Sequence, residues 1–215
     1  IDLLKDELHF WIDQIINSSF IQDNTPPDTT FADVALSGNG EPTAAPEFLN
    51  VLEVIIDCLK EFSLIDKIPI RLITNGSFIS KKKECLNIIN QHHGEIWFKI
   101  DAADEDSIKR INQVNLDPNS MINHLKICAE ACQTVIQTCF LKINHQLPAN
   151  DFLENYSRLI KPYEHVVKKI DLYSLARPSL QNNQDITIER LSLDELNNIK
   201  TILQKQLTIK IDVFP

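Results

Sequence analysis

The sequence predicts an α/β fold on a parallel sheet, and three observations carry that reading. Five strand-like apolar runs alternate with helix-period segments, and a sixth such run follows near the C-terminus. This alternation calls for β-α-β connections, which are right-handed by default. Polar, turn-forming residues cluster where the strand-like runs end, and the content, 43% hydrophobic and 24% charged, is that of a globular protein. From these residues alone, a (β/α) barrel, whole or partial, and a doubly wound open sheet both remain. In either, the chemistry belongs at the carboxyl ends of the strands.

The opening segment places Ile1, Leu4, Leu8, Trp11, Ile12 and Ile15 on one helical stripe. A loop, SSFIQDNTPPDTT, separates it from a strand over residues 31–36, which ends at SGNGEP. Pro46 opens a helix to about residue 62, since proline's missing N–H costs nothing in a first turn. Residues 69–74 read as a strand closed by Asn75-Gly76, and Ser80 reads as the cap of the helix that follows. Residues 95–101 are a strand, Asp104 caps a short helix, and a longer helix covers residues 119–132. A strand lies within residues 134–143, Asp151 caps a helix to about residue 161, and residues 165–173 form the next strand. Ser192 and Glu195 have the spacing of a capping box, before a last strand over residues 207–213.

Of the 215 residues, 30 are Asp or Glu against 21 Lys or Arg, a net charge of −9. That balance argues against a broad electrostatic grip on nucleic acid or an anionic membrane, and leaves only a local basic patch as a route to RNA. No run approaches the ~20 apolar residues of a membrane span. The five cysteines, odd in number and set in apolar-periodic segments, read as reduced thiols of a cytoplasmic protein. One domain over residues 1–215 suits the length, and the start at Ile1 reads as the edge of a fragment.

Four segments in succession carry a resemblance. They are FADVALSGNGEPTAAPEF, RLITNGSFI, WFKIDAADEDSIKRIN and IDLYSLARPS, together covering roughly residues 30–180. Each resembles a strand end of the radical S-adenosylmethionine (radical SAM) superfamily, and the set looks most like its wyosine-type tRNA enzymes and related iron–sulfur oxidoreductases. The resemblance implies a partial parallel (β/α)6-type TIM barrel lacking its first strand, with an extra C-terminal strand. It implies that Gly38, Asn39, Gly40 and Glu41 face the methionine amino group of S-adenosylmethionine, with Thr74 and Asn75 on the neighbouring rim. Strand alternation sets Trp97, Lys99 and Asp101 on one face and Phe98 and Ile100 on the other. The resemblance then puts Asp101 near the ribose hydroxyls, with Lys99 beside it, and Arg177 beyond the sixth strand of the family. Lys99 also has a plainer reading, as a strand-fixing partner of Asp101, and Asp171 with Tyr173 share a face that can point inward.

The same resemblance implies a 4Fe-4S cluster, reductive cleavage of S-adenosylmethionine to a 5′-deoxyadenosyl radical, and a reductant such as flavodoxin or ferredoxin. The substrate is unknown, RNA being among those the subgroup suggests. The cysteine loop for that cluster is absent from this sequence and is expected upstream of Ile1. Cys128 and Cys132 do not replace it, because with Met121 and Leu125 they form one apolar helix stripe. Two other readings compete: a nucleoside-binding barrel without catalysis, and an aldolase-like barrel using Lys99 or Lys142 as a Schiff base.

Overall fold

The computed structural model describes residues 1–38, 40–179, 181 and 185–214. Helices α1 (Asp2–Asn17) and α2 (Phe20–Asn24) lead to strand β1 (Val34–Leu36) and a short 3-10 turn, Pro42–Ala44. Next come α3 (Phe48–Glu61), β2 (Ile70–Thr74), α4 (Glu84–Gln91), β3 (Glu95–Lys99), α5 (Glu105–Asn112) and α6 (Pro118–Ala131). The chain continues through β4 (Thr134–Cys139), β5 (Leu141–Ile143), α7 (Asn150–Ile160), β6 (Lys169–Tyr173), β7 (Ile188–Arg190), α8 (Leu193–Leu203) and β8 (Ile211–Val213).

Several termini are set by the side chains the sequence singles out. The Asp104 carboxylate accepts from the Ser107 amide at 2.9 Å and starts α5. Ser192 and Glu195 close a reciprocal capping box at α8. Two expected caps are displaced. Ser80 lies inside a 3-10 turn, Ile79–Lys81, drawn in by fully buried Ile79, and α4 begins later with Lys83 at its N-cap. Asp151 sits within the first turn of α7, whose N-cap is Ala149, and its carboxylate accepts from the Phe152 amide at 2.9 Å. The stripe on α1 is narrower than expected: Ile12 is buried, whereas Trp11 is 48% exposed and stacks edge-on against Phe20 of the unforeseen α2.

Six strands form one parallel sheet in the order β1-β2-β3-β4-β6-β8. Each crossover advances to the next position in the same direction. A doubly wound sheet reverses at a switch point, so this single direction of winding is that of a barrel wall and decides between the two architectures. Among the described residues, β1 and β8 are edges and the wall is not closed. The last strand thus extends the sheet, as expected, but over Ile211–Val213 only. A second, two-stranded antiparallel sheet pairs β5 with β7, and β7 has no counterpart in the sequence reading.

Single-direction winding places all crossover helices on one face. There Ile70, Leu72, Ile96, Phe98, Ile136, Ile170 and Leu172 are fully buried and form the core with Leu52, Leu59, Leu86, Leu125 and Leu196. Cys58, Cys85, Cys128 and Cys132 belong to this layer. The alternate residues form the other face, with Arg71, Trp97, Lys99, Gln137, Lys169 and Tyr173 only part-buried.

Candidate functional site at the carboxyl edge of the sheet

The carboxyl ends of β1, β2 and β3 surround one cavity of about 340 Å³, lined by Gly38, Gly40, Glu41, Thr74, Asn75, Lys99 and Asp101. These come from three of the four segments picked out in the sequence. Asn39 lies outside the described residues. Arg177, from the fourth segment, is exposed, lines neither this cavity nor the larger one beside α7, and makes no hydrogen bond or ion pair with a described residue.

Glu41 is held by the protein on both oxygens. Its Oε1 accepts from the Thr43 amide (3.1 Å), the Thr43 hydroxyl (2.5 Å) and the Thr74 hydroxyl (2.6 Å), while Oε2 accepts from the Asn75 amide at 2.8 Å. Oε1 is thus saturated, while Oε2, with one bond, keeps an acceptor direction. What Glu41 does here is tie the loop after β1 to the end of β2. Thr74 extends the chain of bonds by accepting from the Gly76 amide at 2.9 Å.

Gly38 has no left-handed φ, so it is not required for a sharp turn. A Cβ on Gly40 would meet nothing within 4 Å beyond its chain neighbours. The conformational demand falls on Gly76 instead, with φ of +78° and a would-be Cβ only 2.6 Å from the Phe98 ring.

Asp101 is 8% exposed and organises the opposite wall. Its Oδ1 accepts from the Cys139 amide at 2.8 Å and lies 3.2 Å from Lys99 Nζ; its Oδ2 accepts from Asn112 Nδ2 at 2.9 Å. Lys99 also contacts the Tyr173 hydroxyl and lies 4.8 Å from the centre of that ring. Burial alone would lower the Lys99 pKa, but Asp101 and the Tyr173 oxygen more than offset it, and the net shift is upward. An ammonium stabilised in this way is a poor Schiff-base nucleophile. Lys142 is likewise committed, 2.8 Å from Glu195. The geometry is therefore against the aldolase reading. Burial, and then Asp101, push the Cys139 thiol up to about 11, so it stays protonated at neutral pH.

Ile73, Ala102, Ile108, Val114, Leu116 and Met121 supply the apolar part of the cavity. Asn112, Val114 and Leu116 were not singled out in the sequence. Asn112 stands four residues after Ile108 on α5, and that spacing, one turn along the same face as a buried apolar residue, was the available signal. Among the described residues no group of three or more His, Cys, Asp or Glu side chains is placed to hold a metal ion. Four of the five cysteines are buried under the helices, so the thiols described do not fit a cluster. No helix among the described residues is long and apolar enough to cross a membrane.

No protein-family model matches the sequence, and no curated protein does. Solved structures do. A radical SAM methyltransferase from Sphaerobacter thermophilus superposes with a TM-score of 0.64 at 13% identity, over 94% of this chain and 56% of that one. The cobalamin-dependent S-adenosylmethionine radical enzyme OxsB, with aqua-cobalamin bound, superposes with a TM-score of 0.50 at 12% identity, over 96% of this chain and 27% of that one. At such identities the likeness establishes a shared fold. This chain spans little more than half of one of those proteins and about a quarter of the other.

Proposed function

We propose that this chain is the S-adenosylmethionine-binding part of a radical SAM enzyme, with the ligand in the cavity at the ends of β1, β2 and β3. One observation carries the reading: seven of the nine residues assigned from the resemblance line a single cavity. The donor set suits the molecule. Backbone carbonyls near Gly38 and Gly40 suit an ammonium, Lys99 suits a carboxylate, Asp101 with Asn112 suits hydroxyls, and the apolar wall suits a ring system. The fold shared with two radical SAM proteins supports the class. The finer likeness to wyosine-type enzymes rests on the four sequence segments alone.

A 4Fe-4S cluster would supply the electron for sulfonium cleavage in such an enzyme, with a flavodoxin- or ferredoxin-type partner as its reductant. The thiols described here do not form its ligand set, so Cys128→Ala combined with Cys132→Ala should leave the iron content of anaerobically prepared full-length protein unchanged. What the cavity residues do themselves is bind, orient and exclude water.

Gly40→Phe tests the reading directly. Its side chain would enter open space, so the unfolding midpoint should hold while calorimetric affinity for S-adenosylmethionine falls at least tenfold in the full-length protein. Wild-type affinity in that variant would move the ligand elsewhere.

A further inference from the structure

We infer that the outer face of α1 is a docking surface for a basic, amphipathic helix of another protein. The inference is independent of the ligand cavity. Helix α1 uses its inner face inside the molecule: Ile12 is buried, Leu8 packs against the core, and the His9 ring lies 4.7 Å from that of Phe62. Its outer face is apolar as well. Leu3 and Phe10, two turns apart, are 71% and 54% exposed. Of the ten exposed large hydrophobic side chains among the described residues, five lie between Ile1 and Ile16. The Phe10, Trp11 and Phe20 rings adjoin edge-on, with centres 5.3 and 5.4 Å apart, so the patch continues from α1 onto α2. Contiguous apolar surface of this kind marks an interaction site, whereas exposed hydrophobic residues scattered singly need no partner.

Charge decides what kind of partner fits. Residues 1–33 hold seven Asp or Glu against one Lys. That lysine, Lys5, lies 3.5 Å from Glu61, and of the seven acids only Asp33 forms an ion pair with a described residue, Arg71. Asp6 and Glu7 are exposed and have no described side-chain partner, and Glu7 stands between Leu3 and Phe10 at helical spacing. The helix dipole favours acids in the first turn, which accounts for Asp2 but not for Asp6 or Glu7 farther along. The apolar stripe is therefore edged by uncompensated negative charge. A second copy of this face would set acid against acid, and an anionic membrane surface would be repelled in the same way. A helix with Leu, Ile or Phe along one face and Lys or Arg beside it meets both demands: its apolar residues cover Leu3 and Phe10, and its cations face Asp6 and Glu7.

The probe is a dye-labelled model peptide of Leu and Lys, about five helical turns long and patterned to be amphipathic. Fluorescence anisotropy follows its titration with the full-length protein. It should bind, and more weakly as salt rises. A peptide of the same composition, scrambled to lose its apolar face, should bind at least about tenfold more weakly, as should a Leu and Glu version. Leu3→Gln combined with Phe10→Gln should weaken binding at least about tenfold, while the unfolding midpoint holds because both side chains are exposed. Asp6→Asn combined with Glu7→Gln should weaken it less and flatten the salt dependence. Equal binding of the scrambled peptide, or unchanged affinity in the Leu3 and Phe10 variant, would overturn the inference. So would a wild-type protein that does not bind the amphipathic peptide. Sedimentation would then show whether a second copy takes the face, as self-association lost in the Leu3 and Phe10 variant, or whether another part of the same chain covers it.

Discussion

The two faces of the six-stranded sheet are drawn from the same short strands, residue by alternate residue, and they are opposites. On the helix-covered face, β3 contributes Ile96 and Phe98, both fully buried. On the open face the same strand contributes Glu95, Trp97 and Lys99, each engaged electrostatically. Glu95 pairs with Lys168 at 2.6 Å, Arg71 lies 4.6 Å from the Trp97 ring centre, and Lys99 pairs with Asp101 and Tyr173. Farther along, Lys169 lies 2.8 Å from Asp171 and 3.1 Å from Asp212. Burial of apolar area stabilises the first face. Ion pairs seldom repay their desolvation, so the second face contributes little to stability. The cavity lies at the carboxyl rim of that polar face.

Substitutions can break this contrast in graded steps. Phe98→Ala, on the covered face, should cost the most, about 3–5 kcal/mol by urea unfolding, through the cavity it leaves. A loss below 1 kcal/mol would mean that the helices do not pack where described. Lys99→Met, on the open face, should cost less, about 1–3 kcal/mol, because Asp101 keeps two hydrogen bonds and the site is partly solvated. Thr74→Val removes one donor from Glu41 and should cost about 1 kcal/mol, with a larger proportional loss of S-adenosylmethionine affinity.

Asp171→Asn should give the smallest effect, and one that depends on pH. Burial raises the Asp171 pKa above the carboxylate value of 3.8, despite the nearby Lys169. A raised folded-state pKa means that stability from this group is fully present below the unfolded value and is lost as pH rises through the folded one. The variant should therefore improve relative to wild type between acid and neutral pH, read as the difference in unfolding midpoint. A constant difference would show that Lys169 fully compensates the carboxylate.

The covered face was legible in the sequence because a period of two in apolar residues has one solution once a helix lies against it. The cavity rim was legible where polar residues end or soon follow a strand, as at Thr74, Asn75 and Asp101. Legibility ended where partners are distant or signals weak. The β5–β7 pair joins Leu141 to Arg190 through three-residue strands too short to show periodicity. Arg177 follows β6 in sequence, but it is exposed and lines neither cavity. Asn112 ends a highly charged helix and looks like an ordinary solvated residue until Asp101 is placed beside it.

The four bonds to Glu41 have a further consequence. Fixing one residue's backbone costs roughly 1–2 kcal/mol of conformational entropy. Because Glu41 is fastened to Thr74 and Asn75 by the protein's own hydrogen bonds, the ordering of these residues is part of folding. Any ligand held at this rim would find Glu41, Thr74 and Asn75 already joined, so none of its binding free energy would go to joining them.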